Sequence, residues 1–545
     1  MRWQCMEDPE QVIELVLMRY FSTRGDSTER LSFEDAVLTG LAPDGGLYIP
    51  ERIPTLPADW QTAWASFTFQ QLSVEVLSLF ISPSEIARSE LEDLVRRSYS
   101  TFRHADVTPL VRLSADGRTH ILELFHGPTF AFKDVALQLL GNLFEFLLAR
   151  RNARGDSAER HRLTVLGATS GDTGSAAIYG LRGKRDIDIF ILHPKGRVSL
   201  VQEAQMTTVL DANVHNLAVK GTFDDCQDIV KALFADTQFN AKHKLGAINS
   251  INWARILAQT VYYFHAYFTA RRQVNSTDAE LQFVVPTGNF GDVLAGYYAK
   301  RMGVPMAKLV VATNANDILA RFWASGRYEK VASSDTPVDS TSPIAPAQGA
   351  SDGKQATADA SGVLETLSPA MDILVSSNFE RLLWYLAQEA RGGEKGVAGA
   401  DVRGWMASVK SDGRAVVPTK VLDLARETSS LSESATSRLR KLSPMYPHTA
   451  VALAAAKRLD RGTLHQIVLS TAHPAKFSDA VTRALSSTAP TFDFNRDVLP
   501  DEFKGLLDLP RRVTDVEAPR AELVKEAMER QLVKRPGAVE EGSSV

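Results

Sequence analysis

The stretch LTVLGATSGDTGSAAIYGL, residues 163–181, runs from a short apolar segment through a glycine-rich turn into a pattern of small residues at helical spacing. The same order returns at residues 281–303, LQFVVPTGNFGDVLAGYYAKRMG, and the runs HILELF, IDIFILHP, VHNLAV, KLVVATN and HQIVLSTAHPAKF mark the same body. Most of these runs are apolar at successive positions, not alternate ones. A strand of that kind is buried on both faces, which crossover helices bring about. The pattern therefore predicts an α/β fold, with parallel sheets covered by helices on both sides.

Other segments frame this body. Residues 1–105 read as a mostly helical N-terminal unit, in which Asp8 caps a helix with Pro9 in its first turn and an amphipathic run to Met18. The core is expected over 106–330. Between residues 333 and 362 the chain reads SSDTPVDSTSPIAPAQGASDGKQATADASG, without an aromatic residue, so 331–364 is expected to be a disordered surface insertion. The catalytic body resumes over 365–510. An amphipathic helix over 518–533, within a segment 511–545, precedes a polar tail.

Composition excludes several classes of function. With 545 residues and a formal net charge of −4, the chain has no broad basic surface to recommend a nucleic-acid partner. Two cysteines, Cys5 and Cys226, lie far apart with no metal-ligand spacing, so no metal is expected and the compartment reads as reducing. The Asn275 sequon is then a chance match. No apolar run is long enough to span a membrane, and the acidic N-terminus fits neither a secretory signal nor a transit peptide, which leaves the cytoplasm.

Three short segments carry chemistry. In HGPTFAFKDVALQLLGNLFEFLL, residues 126–148, Lys133 is a lone ammonium among apolar residues. Burial lowers a lysine pKa and makes the amine a nucleophile at neutral pH. A plainer reading is a local pair between Lys133 and Asp134 at a loop-to-helix transition. The loop GATSGDTG and the loop PTGNFGD each follow a strand and open a helix, so their free amides form anion cradles. Neither matches GxGxxG or GxxxxGK[ST], which argues against a dinucleotide fold and a P-loop. One poised lysine and two anion cradles suggest a phosphorylated carbonyl cofactor, for which pyridoxal 5′-phosphate fits.

These residues, together with LAPDGGLYIP, HPKGRVS, NSINWARILAQ, TLSPAMDILVSSNFERLLW and PHTAVA in that order, resemble the threonine synthases. That family belongs to the fold-type II (tryptophan synthase β-like) pyridoxal-phosphate enzymes, and the likeness is to its long fungal and Gram-negative branch. The resemblance implies that Lys133 is the Schiff-base lysine. It implies that Gly288, Asn289, Phe290, Gly291 and Asp292 cup the cofactor phosphate, and that Thr471 lies beside the pyridine nitrogen. Thr169, Ser170, Gly171, Asp172 and Thr173 would receive the substrate α-carboxylate, and Lys195, Arg197, Asn252 and Arg255 are nominated for the substrate phosphate.

The activity implied is conversion of O-phospho-L-homoserine and water to L-threonine and phosphate, by a monomer. Two alternatives stay open: a phospho-lyase forming 2-oxobutyrate and ammonia, and a non-catalytic cofactor-binding scaffold. Tyr446, just before PHTAV, departs from the acidic or small residue the family often carries there, and the residues before Met18 precede its usual start.

Overall fold

The computed structural model describes residues 17–330, 362–433 and 447–533, apart from residues 27, 115, 156–159, 275–278, 461, 463, 487, 488 and 490. The expected helix after Asp8, the insertion at 331–361, the Asn275 sequon, Tyr446 and the tail after Pro536 lie outside the described residues.

The N-terminal segment pairs two short antiparallel strands, β1 (Tyr20–Ser22) and β2 (Tyr48–Pro50), among helices at Phe33–Thr39, Phe69–Ser78 and Arg88–Tyr99. Strands β3 (Leu110–Arg112), β4 (Thr119–Glu123), β5 (Leu163–Ala168), β6 (Ile187–Pro194), β7 (Val214–Val219), β8 (Leu245–Ala247), β9 (Leu281–Pro286) and β10 (Leu309–Thr313) follow. After them come a short antiparallel pair, β11 (Arg327–Glu329) and β12 (Arg414–Val416), and then β13 (Ser429–Glu433), β14 (His465–Ser470) and β15 (Thr514–Val516).

Two sheets result. One has six strands in the order β13-β10-β9-β14-β4-β3, parallel except for β3 against β4. The other has five in the order β15-β7-β6-β5-β8, all parallel.

The apolar runs of the sequence are these central strands, and β6, β7 and β14 coincide with IDIFILHP, VHNLAV and HQIVLS. Alternate residues along each strand face opposite ways. In the six-stranded sheet Leu122, Phe283, Val285, Val311 and Leu469 face a central core, while Ile121, Val284, Val310 and Val468 pack against Val451 and Ala455 of the Pro447–Leu459 helix. In the five-stranded sheet Val165, Ile189, Ile191 and Val214 join the same central core. Leu166, Phe190, Leu192, Leu217 and Val219 meet the Phe223–Ala235 helix and Val524 and Met528 of the terminal Ala521–Val533 helix. The central core thus lies between the two sheets and continues into the N-terminal helices through Phe33, Phe69 and Leu94.

One helix crossing positions the chemistry. The Lys133–Arg154 and Asp172–Leu181 helices pass at two glycines: a Cβ on Gly141 would stand 1.9 Å from the Gly180 carbonyl oxygen, and one on Gly180 would stand 2.5 Å from the Leu137 carbonyl oxygen. Such backbone-to-backbone contact requires glycine, and both helices begin at residues singled out above. Gly141→Ala should therefore destabilise the protein by about 1–3 kcal/mol in urea unfolding, as overpacking does. Gly404→Ala, in the open middle of the Lys395–Ser411 helix, should be neutral or stabilising by up to about 1 kcal/mol.

Candidate active site

Parallel sheets place their loops for ligands at the carboxyl ends of the strands. Three neighbouring strands, β9, β14 and β4, end in the Gly288 loop, Thr471 and the lysine loop respectively. The five-stranded sheet contributes the Thr169–Thr173 loop after β5 and Lys195 and Arg197 after β6.

The lysine loop and the Thr471 segment are joined through main chain. Phe132 N donates to the Thr471 carbonyl at 2.8 Å and His473 N to the Phe130 carbonyl at 3.0 Å, around an antiparallel bridge between Ala131 and Ala472. Lys133 opens its helix and keeps only 12% of its side-chain surface exposed. Its Nζ lies 3.9 Å from Asp172 Oδ2. Burial, opposed by Asp172 and reinforced by Lys476 and Arg255, brings its pKa down to about 8. A cation at a helix N-terminus also opposes the helix dipole.

The local pair does not form. Asp134 accepts from Thr129 N and Thr129 Oγ1, both at 2.7 Å, and burial raises its carboxyl to about 6. Asp134 closes the turn, and Lys133 faces Asp172 on the other sheet's loop.

Within that loop, Thr169 Oγ1 accepts from Gly171 N at 3.0 Å and Gly174 N at 2.8 Å. Gly171 has φ 141°, and a Cβ there would meet the Gln202 side chain at 2.4 Å. Ser170 is exposed and Thr173 half-buried, so their hydroxyls are the accessible ones. The buried Asp172 carboxylate accepts from Lys476 Nζ at 2.7 Å and from Gln202 Nε2 at 2.8 Å. Burial alone would raise its pKa, but Lys476 and Lys133 hold it well below the usual carboxylate range.

The second cradle has its own support. Phe290 adopts φ 63°, and the Gly291–Met302 helix starts without a side-chain cap, which leaves first-turn amides for an anion. A Cβ on Gly288 would stand 2.5 Å from the Ala370 carbonyl oxygen. Ser376 Oγ donates to the Gly288 carbonyl at 2.6 Å, and Asn378 N and Nδ2 donate to the Asn289 carbonyl at 3.0 and 3.1 Å. Asp292 turns inward to the Tyr263 hydroxyl at 3.0 Å and to that of Tyr262, and burial pushes its carboxyl up to about 6.

The four nominated phosphate ligands separate. Arg255 is buried, donates to the Ile248 carbonyl at 3.1 Å and acts electrostatically on Lys133, with burial lowering its own pKa to about 10. Asn252 is buried too, with Nδ2 on the Val37 carbonyl at 2.9 Å and Oδ1 accepting from Ala254 N at 3.1 Å. Lys195 pairs with Asp515 at 2.6 Å on the surface, and Arg197 is exposed.

Several residues at the site were not singled out from sequence. Ser376 and Asn378 hold the Gly288 loop, and Arg381 ties Asn378 to the Tyr48 and Ile251 carbonyls. Nothing in their types distinguishes them from surface polar residues. His448 lies close enough to feel Asp172 and Lys133, and burial lowers its pKa to about 3. Lys476 did carry a signal: it is a lone ammonium in AHPAKF, the same argument that marks Lys133.

Comparison with known proteins matches residues 19–99 to the model "Threonine synthase N terminus", residues 102–363 to "Pyridoxal-phosphate dependent enzyme" and residues 449–528 to "Threonine synthase, C-terminal". The threonine synthase of Schizosaccharomyces pombe is 53% identical over 525 residues, covering 94% of this chain and 97% of that protein. The crystal structure of threonine synthase from yeast superposes with a TM-score of 0.86 at 47% identity, covering 95% of this chain and 99% of that one. The pyridoxal-phosphate-bound threonine synthase of Brucella melitensis gives 0.79 at 40% identity, covering 94% and 99%.

The electrostatics can be checked directly. In cofactor-free protein, labelling of the Lys133 amine followed by peptide mass spectrometry should rise through a midpoint near the pH of about 8 set by its surroundings. An ordinary surface lysine should titrate near 10.4, about two units higher.

Proposed function

The chain belongs to the threonine synthase family of pyridoxal-phosphate-dependent enzymes, and from that membership and the site we infer that it converts O-phospho-L-homoserine and water to L-threonine and inorganic phosphate. The observation that carries the reading is a largely buried amine, Lys133, held opposite Asp172 at the start of its helix and joined through main chain to Thr471. An uncapped helix start at Gly291, with no room for a side chain at Gly288, supports a phosphate cup beside it. These residues fit the cofactor.

In this reading Lys133 would hold the cofactor through its carbonyl carbon, the amides of 288–291 would hold its phosphate, and Thr471 would serve its ring nitrogen. Asp292 supports the cup from beneath through Tyr262 and Tyr263. When bound, pyridoxal phosphate supplies a carbonyl that condenses with an amine and a conjugated ring that takes up the electron pair left at a deprotonated carbon. The chain's residues do the rest.

As a free amine Lys133 would remove the substrate α-proton, and its lowered pKa suits it as a base near neutral pH. The backbone amides and exposed hydroxyls of 169–173 bind the substrate carboxylate. Arg255, and less directly Asn252, Lys195 and Arg197, offer positive or amide groups to the substrate phosphate as the Cγ–O bond breaks. A second proton leaves Cβ as the Cγ–O electron pair departs with phosphate, Cγ takes up a proton to become the methyl group, water then adds its hydroxyl at Cβ, and Lys133 returns a proton to Cα. Thr471 would offer the ring nitrogen a neutral hydroxyl and no carboxylate, which would not hold a proton on that nitrogen.

We read the segments 1–105, 106–330, 331–364, 365–510 and 511–545 as N-terminal unit, core, insertion, remaining catalytic body and C-terminal helix with tail. We also read the enzyme as a cytoplasmic monomer without a nucleic-acid partner. Among the described residues no helix is long and apolar enough to cross a membrane.

Incubation of the loaded protein with O-phosphohomoserine should release phosphate and threonine in equal amounts, and Lys133→Ala should abolish both turnover and the visible absorbance of the lysine-bound cofactor. Ammonia and 2-oxobutyrate as the main products would support the phospho-lyase reading. Thr471→Ala should weaken cofactor binding by only about 0.5–1.5 kcal/mol, the net worth of a neutral hydrogen bond. Thr471→Asp should raise the proportion of pyridoxamine phosphate formed per threonine, read by product partition at saturating cofactor.

A further inference from the structure

Lys476 sits in the short turn Pro474–Lys476 that follows Thr471, and its side chain is wholly buried. Such an ammonium costs several kcal/mol unless it is paired and hydrogen-bonded. Its Nζ finds both requirements across the site: Asp172 Oδ1 at 2.7 Å and the Thr129 carbonyl at 2.9 Å. Thr129 in turn donates twice to Asp134 on the lysine helix. Lys476 therefore links the Thr471 segment, the lysine loop and the Asp172 loop at one point.

The arrangement sets two amines on one carboxylate. Lys476 lies on Oδ1 at 2.7 Å, whereas Lys133 lies 3.9 Å from Oδ2, beyond hydrogen-bond distance. The other groups acting on Lys133 do not redress this balance. Arg255, from the start of the Trp253–Val274 helix, adds positive charge. Asp134 on its own helix, held by Thr129, attracts Lys133 more weakly than Asp172 does, His448 on the Pro447–Leu459 helix is neutral, and Phe132 presents a ring face at 5.3 Å. The 2.7 Å pair sets a second positive charge beside the carboxylate, and its repulsion of Lys133 offsets part of the attraction that Asp172 exerts at 3.9 Å.

We propose that Lys476 is a positioning residue for the reaction: by holding Asp172 on its Oδ1 side it orients that carboxylate towards Lys133 without letting it neutralise Lys133. The consequence is an amine that is oriented yet available without its proton. This rests on the reading of Lys133 as the reactive amine. It assigns no direct contact between Lys476 and substrate.

The test uses full-length cofactor-free protein and the pH midpoint of Lys133 labelling, a readout that a merely structural lysine would not move. In Lys476→Met, Asp172 is left to Lys133 alone, so the midpoint should rise by about one pH unit or more, a tenfold loss of unprotonated amine at fixed pH. In Asp172→Asn it should fall, because the stronger of its two attracting charges is gone. Lys476→Arg, which keeps the cation, should stay within a few tenths of a unit of wild type.

An unchanged midpoint in folded Lys476→Met overturns the proposal. Should that variant fail to fold, a midpoint in Asp172→Asn that does not fall, or one in Lys476→Arg that rises by a full unit, overturns it instead. Failure of the underlying reading shows separately, as turnover retained by Lys133→Ala.

Discussion

A carboxylate shared by two buried amines organises this molecule. Asp172 receives Lys476 at 2.7 Å and lies 3.9 Å from Lys133, and each of the three comes from a different loop. Removing one partner from a buried ionic pair leaves the other uncompensated, typically at a cost of about 3–5 kcal/mol. The carboxyl ends of the two sheets are therefore tied together through Asp172, which pairs directly with Lys476 and acts on Lys133 at longer range.

The backbone is shaped to permit it. Lys133 and Asp172 each start a helix, and those helices can approach closely only because Gly141 and Gly180 leave carbonyl against Cα. The bridge between Ala131 and Ala472 brings Lys476 within reach of the same point. Packing energy from a core shared by both sheets thus supports an electrostatic arrangement that would not persist in water, where the same charges interact several-fold more weakly.

The rest of the site follows a similar division between contact and support. The Gly288 loop offers amides, and Ser376, Asn378 and Arg381 behind it fix its carbonyls and tie it to β2 of the N-terminal segment. Asp292, placed by motif among the phosphate-cupping residues, directs its carboxylate into the protein towards two tyrosines. A motif identifies which residues belong to a loop, and the side chains within it divide between ligand and scaffold according to which way the backbone turns them.

Much of this was legible beforehand. Successive apolar β-branched positions sufficed to read the central strands, because burial on both faces leaves a local compositional trace, and the lone ammonium in FAFKD marked Lys133 for the same reason. The edge strands β13 and β15, SSLSE and TDV, are too short and too polar in sequence to carry such a trace. Local sequence likewise offered Asp134 as the partner of Lys133, and its turn with Thr129 accounts for Asp134 otherwise. Sequence by itself determined the fold class, the loops and a candidate amine, each of which depends on residues close together in the chain. Which carboxylate faces that amine, and that Lys476 competes for it, was decided only by the tertiary structure, because charges brought together from separate strands of two sheets interact through space and leave no pattern along the chain.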